Sequence, residues 1–297
     1  MPELPDITVY AESLEAKVRG DTLQRVRIAS PFLLRTALPP VTSVEGRLVL
    51  GVERLGKRVV IALDGELFLV IHLMIAGRLH WHASGGKPPA RNALATFEFA
   101  GGTLALTEAG TQRRASLHVV QGRTALAAMD PGGIDVMTCG LDEFAARLTA
   151  QNHTLKRALT NPQLFSGIGN AYGDEILHRA RVSPVALTRG LDAAAVKRLL
   201  AAAREVLREW TQRLGEEASR HAGWPPKVTA FHPQMAVHGR YGLPCPACGS
   251  KVQRIVHANN ETNYCARCQT GGKLLADRAL SRLLHASWPK HIDDIEP

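Results

Sequence analysis

Two close pairs of cysteines constrain this chain more than any other feature of its sequence. Cys245 and Cys248 form one pair and Cys265 and Cys268 the other, which gives the spacing C-x2-C-x16-C-x2-C. Each pair lets two thiolates converge on one side of a tetrahedral ion, and the intervening loop has room for a β-hairpin. Four thiolates favour Zn²⁺, and a closed shell favours structure over catalysis. We predict one structural zinc ion; two unrelated pairs, or a redox C-x-x-C, are the alternative.

The segment around these cysteines is strongly basic. The chain has 36 Lys+Arg against 27 Asp+Glu and a formal net charge of +9. Residues 237–282 hold seven of the basic residues and two acids. A small hairpin pinned by metal and rich in positive charge is typical of nucleic-acid binding, and a ribbon that contacts only protein is the alternative. We expect His257 to be a surface residue or a nucleic-acid contact, and Cys139 to be an inert thiol.

Composition excludes several classes of protein. Hydrophobic residues make up 45% and charged residues 21% of the 297 residues, which is ordinary for a folded soluble chain of two or more domains. No apolar run approaches the roughly 18 residues that a membrane span needs. The start of the chain lacks the basic and apolar parts of a signal peptide, so we expect a cytoplasmic protein without disulfides.

Hydrophobic periodicity predicts an α+β multidomain fold. Ile7, Tyr10, Leu14 and Val18 share one face of a helix over residues 6–19. Short apolar runs with turn pairs between them predict an antiparallel β-sandwich or barrel over about 22–120, closed by that helix. After residue 141 the pattern is helical. The predicted divisions are a β-sandwich domain at 1–125, a linker at 126–140, a helical domain at 141–236, a zinc hairpin at 237–272 and a tail at 273–297.

The amino terminus has the residues for covalent chemistry. Pro2 follows a Met that is normally removed before a small residue, and removal would leave a secondary amine as the first atom of the chain. Secondary amines attack aldehyde-like carbons, and the positive end of the first helix disfavours the ammonium form. Glu3 is next to it and within reach to transfer a proton. Prolines are also common near helix starts, so an ordinary helix start is the alternative.

Three segments together resemble the formamidopyrimidine-DNA glycosylase and endonuclease VIII family. Pro2-Glu3-Leu4-Pro5-Asp6 is similar to its amino-terminal signature, and Thr262-Asn263-Tyr264-Cys265 to part of its zinc finger. Leu155-Lys156-Arg157, followed by Gly167-Ile168-Gly169-Asn170 and Glu175, is similar to its helix–two-turn–helix element. The resemblance implies an amino-terminal β-sandwich with its helix, a helix–two-turn–helix domain and a carboxy-terminal zinc ribbon.

The resemblance also implies an activity. It predicts a bifunctional DNA glycosylase and abasic-site lyase of base-excision repair, which excises a damaged, oxidised base and cleaves the abasic site by β-elimination. Pro2 would be the Schiff-base nucleophile, Glu3 the proton donor, and Lys57 a phosphate contact that assists elimination. The expected partner is damaged double-stranded DNA in a basic cleft between the domains. We expect a monomer in a bacterial cytoplasm, associated with the nucleoid.

Other residues are matched to DNA contacts. Lys156 and Asn170 correspond to a phosphate clamp, and Gly167 and Gly169 would let backbone N–H groups approach an anion closely. Arg113-Arg114 resembles the pair that fills the gap left by a flipped nucleotide. Without the resemblance, these features would be a helix connector and a solvated strand end, and Lys57 a solvated turn lysine.

Four positions depart from the family pattern. Asp6 stands where glutamate is usual, and Ile75 where a methionine fills the void in the duplex. Ala115 stands at the wedge phenylalanine. Asn260 stands at the arginine of the zinc hairpin and cannot supply a guanidinium fork, for which Arg254 is a candidate substitute.

These departures leave two rival functions. The first is a non-catalytic member of the same fold that binds damaged DNA. The second is a zinc-ribbon transcription or RNA-binding protein, which does not explain Pro2-Glu3.

Overall fold

The chain forms two compact units in a computed structural model. One unit, the β unit, comprises Met1–Pro131 and Glu209–Thr229, and the other, the helical unit, comprises Gly132–Arg208 and Ala230–Pro297. By packing, residues 209–229 group with the β unit, whereas the sequence-based division kept 141–236 together; those bounds stay a prediction. The structure describes residues 1–84, 86, 92–109, 112–229, 231–257, 260–276, 282–283, 287 and 289–295.

Helix α1 (Leu4–Val18) opens the β unit. Its first turn is closed by a capping box between Glu3 and Asp6, and Pro5 lies where its missing N–H costs no hydrogen bond. The predicted apolar face is the buried one, and Ile7, Leu14 and Val18 are inaccessible to solvent. The helix predicted for residues 6–19 is therefore confirmed, with its start two residues earlier.

Eight strands form a single antiparallel sheet in the order β5-β7-β6-β1-β2-β3-β4-β8. Their bounds are β1 Thr22–Ile28, β2 Arg47–Leu55, β3 Arg58–Leu63, β4 Leu67–His72, β5 Gly77–Ala83, β6 Ala93–Phe99, β7 Gly102–Glu108 and β8 Ser116–Gln121. Only Thr22 and Leu23 pair across the β1–β2 junction. The sheet folds there into two four-stranded halves, which confirms the predicted β-sandwich.

The two halves and helix α1 enclose one apolar core. Phe97 and Leu104 come from one half, Ile61 and Leu69 from the other, and all four are buried beside Leu14 of the helix. A segment that is distant in sequence completes this core: the ring of Trp224 lies 5.7 Å from that of Tyr10, and Val228 is buried. This packing explains why residues 209–229 group with the β unit.

The remaining elements are mostly helical. They include the helices α2 Arg123–Ala127 in the β unit, α3 Leu141–Thr149, α4 Leu155–Leu159, α5 Asn170–Ala180, α6 Ala193–Arg220 and α7 Ala266–Thr270. A hairpin is formed by β9 Gln253–His257 and β10 Asn260–Tyr264. Helix α6 lies in the part of the chain after residue 141 where the sequence pattern is helical. Among these described helices, none has both the length and the apolar character of a membrane span.

The segment predicted as a linker and the carboxy-terminal tail both pack against other elements. Ile134 bridges to Phe165, with its N–H donating to Leu164 O at 3.0 Å. In the described part of the tail, Ile292 is buried against Leu274 and Tyr264 at the hairpin. Both segments therefore pack against elements outside their own predicted bounds.

Gly133 gives a test of this packing. A Cβ at Gly133 would lie 2.3 Å from Pro162 O, whereas a Cβ at Gly215, inside helix α6, would meet nothing within 4 Å. We expect Gly133→Ala to lower the free energy of unfolding by about 1–3 kcal/mol through overpacking. The control Gly215→Ala should raise it by about 0.5–1 kcal/mol through helix propensity. Denaturant unfolding measures both; equal effects of the two changes would contradict the packing at Gly133.

Candidate functional site

The amino terminus of the β unit is built around two buried carboxyl groups. Glu3 is 2% exposed and Asp6 is 4% exposed. The Glu3 N–H donates to Asp6 Oδ2 at 2.8 Å, and the Glu3 side chain accepts the Asp6 N–H in return. Pro2 is buried directly before this cap, while Met1 is exposed. The helix start therefore holds Pro2 and Glu3 in one fixed geometry.

Burial and charge tune this terminus. Burial lowers the pKa of the amino group of Met1. The carboxyl groups of Glu3 and Asp6 raise this pKa, and the cations of Arg78 and Lys57 lower it further. Burial also raises the pKa of Asp6 to about 7. A lowered amine pKa increases the neutral, nucleophilic fraction near neutral pH. Removal of Met1 would transfer the amino terminus to Pro2.

Lys57 lies in the tight turn between β2 and β3. Gly56 adopts a φ of 60°, which favours glycine, and Arg54 Nη1 donates to Gly56 O at 3.0 Å. Beside this turn, burial lowers the pKa of His72 to about 4, and Arg58 and Lys57 lower it further. Lys57 and Arg58 are therefore two cations beside a buried His72 that stays neutral near pH 7. Sequence reasoning missed this group because the pairing of Arg58 with His72 across β3–β4 is not local.

The proposed duplex-filling residues lie on two loops of the β unit. Ile75 is 59% exposed at the turn between β4 and β5, and Arg113 and Arg114 are both exposed. Ala115, at the expected wedge position, is buried in the core of the sandwich. A side chain at position 115 therefore points into the protein, and Ile75 is the exposed apolar residue of this group.

A pocket of about 700 Å³ in the helical unit brings together several predicted phosphate contacts. It is lined by Lys156 of α4, Asn170 of α5 and Asn260 of β10, together with Arg157 and Thr160. Gly167, with a φ of 78°, makes the turn that precedes α5, and Gly169 is the extended residue at its N-cap. The Asn170 side-chain amide donates to Glu261 O at 2.9 Å, which ties α5 to the hairpin.

Lys156 has a buried anionic partner that the sequence did not indicate. Its ammonium donates to Asp174 Oδ1 at 2.6 Å and also to the Asn170 carbonyl. Asp174 is fully buried and further accepts from His238 Nδ1 at 2.7 Å and from the Asn263 N–H at 3.2 Å. Much of the Lys156 charge is therefore neutralised inside the protein, so its contribution to the pocket is a positioned donor more than an isolated cation.

Arg254 does not join Asn260 at this pocket. Asn260 pairs with His257 and Arg254 with Asn263, and alternation along the strands places the two side chains on opposite faces of the hairpin. The Arg254 guanidinium lies 4.3 Å from the centre of the Tyr241 ring. The side chain of His257 lies outside the described residues.

The four predicted zinc ligands lie together. The Sγ atoms of Cys245, Cys248, Cys265 and Cys268 are all within 4.8 Å of one another. Four converging thiols on two short turns fit one tetrahedral Zn²⁺, whereas Cys139 is buried elsewhere.

Helix α5 supports this cluster through His178, which sequence reasoning also missed. His178 Nε2 lies 3.3 Å from Cys245 Sγ, and burial lowers the His178 pKa to about 4, so the ring is neutral at pH 7. A neutral imidazole N–H donating to a thiolate is typical of the groups that orient metal ligands. Glu175, on the same helix, accepts the N–H groups of Ala236, Val237 and His238.

Asp6→Asn tests the electrostatics of the amino terminus. The folded-state pKa of Asp6 is about 7 against an ordinary value of 3.8, so the folded chain binds this proton more tightly than the unfolded chain. The resulting stability is present below the ordinary pKa and is lost as pH rises to about 7, at up to about 1.4 kcal/mol per pH unit. Asparagine keeps the acceptor for the Glu3 N–H without titrating. As pH rises across this range, the unfolding free energy of the wild type should therefore fall toward that of Asp6→Asn or below it. If the two free energies change in parallel with pH, the burial of Asp6 is contradicted.

Cys248→Ser tests the metal cluster. Loss of one thiolate should release the ion and unfold the hairpin, because four-thiolate sites couple metal binding to local folding. Metal analysis should give one zinc per wild-type chain and none for the variant. Cys139→Ala, which removes a buried thiol outside the cluster, should keep the full zinc content; zinc retained by Cys248→Ser would disprove the ligand set.

Three family models match the chain in order. They are the formamidopyrimidine-DNA glycosylase N-terminal domain at residues 1–116, the formamidopyrimidine-DNA glycosylase H2TH domain at 131–220, and the zinc finger found in FPG and IleRS at 242–271. The third match and the four-cysteine cluster together confirm the prediction of one structural zinc ion.

Whole-chain relatives agree with these matches. The formamidopyrimidine-DNA glycosylase of Thermus thermophilus is 35% identical over 285 residues, which cover 92% of this chain and 100% of the relative. The crystal structure of the MutM (Fpg) protein from the same organism has a TM-score of 0.76 and 33% identity, and covers 90% of this chain and 98% of that one.

A further solved structure shares the fold. Lactococcus lactis Fpg in complex with DNA containing FAPY-dG has a TM-score of 0.80 at 22% identity, with 90% of this chain and 100% of that chain covered. The domain matches, the whole-length identity and the zinc cluster lead to one conclusion: this chain belongs to the formamidopyrimidine-DNA glycosylase family.

Proposed function

We propose that this chain is a bifunctional DNA glycosylase and abasic-site lyase of base-excision repair. The observation that carries the proposal is the buried cap of Glu3 and Asp6, which holds Pro2 at the helix start beside an amine whose pKa is lowered by burial. Family membership and the relative named as a formamidopyrimidine-DNA glycosylase support the same activity.

In the first step, the lone pair of the Pro2 nitrogen forms a bond to sugar C1′ as the glycosidic bond breaks. The damaged base leaves with the bonding electron pair and takes up a proton, while the Pro2 nitrogen loses its own. The nitrogen lone pair then expels the ring oxygen, and Glu3 donates the proton that this oxygen needs. The product is an iminium ion between Pro2 and the opened sugar.

Elimination follows from this iminium. It acidifies the C2′ proton. Transfer of this proton to water forms the C2′–C3′ double bond and expels the 3′ phosphate. Lys57 is proposed to contact phosphate here, and the cations around His72 would favour the departing negative charge. Water then releases the sugar fragment and restores the Pro2 amine.

The DNA is proposed to be held mainly through phosphates. In the helical unit, Lys156, Asn170 and the turn at Gly167 and Gly169 would bind one phosphate, with donors rather than free charge. In the β unit, Ile75 and the Arg113-Arg114 pair would occupy the gap left by the flipped nucleotide. Such binding would weaken steeply as salt concentration rises.

We further propose that a monomer acts on nucleoid DNA in a bacterial cytoplasm, and the named relatives are bacterial. Two observations favour a second candidate, a non-catalytic binder of damaged DNA. Ala115 is buried where a wedge is expected. Asn260 stands where an arginine is expected, and Arg254 cannot replace that arginine because it lies on the opposite face of the hairpin.

Covalent trapping decides between the two candidates. Borohydride reduces an iminium to a stable amine, so the wild-type chain should be trapped on duplex DNA that contains an abasic site. A chain that retains an uncleavable tag before Pro2 should form no adduct, because its amine is no longer on proline. The same tag at the carboxy terminus is the matched control and should trap fully.

Mass spectrometry of the wild-type chain should show that Met1 is absent. Equal trapping of both tagged forms would exclude Pro2 as the nucleophile. Tight binding of abasic DNA by all forms with no adduct in any would establish the non-catalytic binder.

A further inference from the structure

A buried carboxylate in the β unit anchors the segment that follows the arginine pair. Glu108, the last residue of β7, is 1% exposed. Its two oxygens accept the Arg114 N–H at 3.0 and 2.9 Å, and one of them also accepts the Ala115 N–H at 3.1 Å. Charge-assisted bonds of this kind are stronger than neutral ones, so the backbone of this segment is held firmly.

The residue paired with Glu108 in the sheet closes the turn that carries Ile75. Glu108 lies opposite Gly77 in the β5–β7 ladder. The Gly77 N–H donates to Leu73 O at 2.9 Å and closes the turn, and a Cβ at Gly77 would lie 2.3 Å from that oxygen. Only glycine allows this close approach without movement of the backbone.

Arg78 fixes the turn from the other side. Its guanidinium donates to Ile75 O at 3.2 Å, to Gly77 O at 2.6 Å and to Val228 O at 2.7 Å. Hydrogen bonds from Arg78 therefore fix the backbone carbonyls of the turn that exposes Ile75. The pairing of Gly77 with Glu108 connects this turn to the residue that binds the backbone of the arginine pair.

We propose that Glu108 is a positioning residue that holds Arg113-Arg114 in register with Ile75, so that both enter the duplex together at an abasic or flipped nucleotide. This inference rests on the proposed function and deepens it by assigning selectivity for damaged DNA to one carboxylate. Side chains that are already in place lose less conformational freedom when they enter DNA. A fixed position of the arginine pair relative to Ile75 therefore favours binding.

The first test compares Glu108→Gln with Glu98→Gln. Glu98 lies on the neighbouring strand β6, where its carboxylate pairs with Arg27 at 2.6 Å near the surface. The probe is a duplex with a non-reactive tetrahydrofuran abasic analogue and 2-aminopurine opposite it, measured against the undamaged duplex. Glu108→Gln should lower the binding preference for the analogue over the undamaged duplex about tenfold, which corresponds to about 1.4 kcal/mol. It should also reduce the change in 2-aminopurine fluorescence on binding. Glu98→Gln should match the wild type.

The second test separates positioning from a general structural role. If Glu108 acts through the arginine pair, Glu108→Gln should have no further effect on the preference in an Arg113→Ala/Arg114→Ala background. In borohydride trapping on an abasic duplex, Glu108→Gln should raise the DNA concentration for half-maximal adduct and leave the plateau unchanged. An equal loss in both backgrounds, or a lower plateau with an unchanged midpoint, would overturn the positioning role.

These outcomes are distinguishable from failure of the proposed function. Absence of any wild-type adduct would overturn the lyase assignment, whereas binding to the analogue does not require the Pro2 amine. Wild-type trapping together with an unchanged preference in Glu108→Gln would overturn only the role of Glu108. If Glu108→Ala fails to fold, the near-isosteric glutamine variant and its double-mutant cycle still decide the question.

Discussion

The reciprocal hydrogen bonds between Glu3 and Asp6 are the interaction on which the proposed chemistry depends. They satisfy donors at the start of helix α1 and bury two carboxyl groups next to the amino terminus. The same burial disfavours charge on the amine and raises the pKa of Asp6 to about 7. The helix start therefore orients Pro2 and begins the helix that closes the sandwich, while burial lowers the pKa of the Met1 amine against the opposing effect of the two carboxyl groups.

Buried carboxylates that accept backbone N–H groups recur at three further places in the chain. Glu108 holds the segment after the arginine pair, Glu175 accepts three consecutive N–H groups before the zinc hairpin, and Asp174 joins Lys156 to His238. A buried charge is costly unless it is fully hydrogen-bonded, and each of these accepts several bonds. These bonds hold backbone next to several of the proposed DNA contacts.

Sequence reasoning predicted the features that short motifs and hydrophobic periodicity indicate. The sandwich, the helix at the start and the four zinc ligands are confirmed, while the roles of Pro2, Lys57 and Asn170 stay predictions. It missed His178 beside Cys245, because an ordinary helical histidine carries no signal until the hairpin packs on it. It also named Arg254 as a candidate substitute for the arginine that Asn260 replaces, and strand register places Arg254 and Asn260 on opposite faces of the hairpin.

The sequence by itself determined the zinc cluster, the first helix and the family, because each depends on residues a few positions apart or on motifs in a given order. Only the tertiary structure decided that Ala115 points inward, that Asp174 neutralises Lys156, and that Glu108 shares a rung with Gly77. These relations join residues distant along the chain. They follow from strand order, register and the burial of charge, which no short pattern of residues encodes.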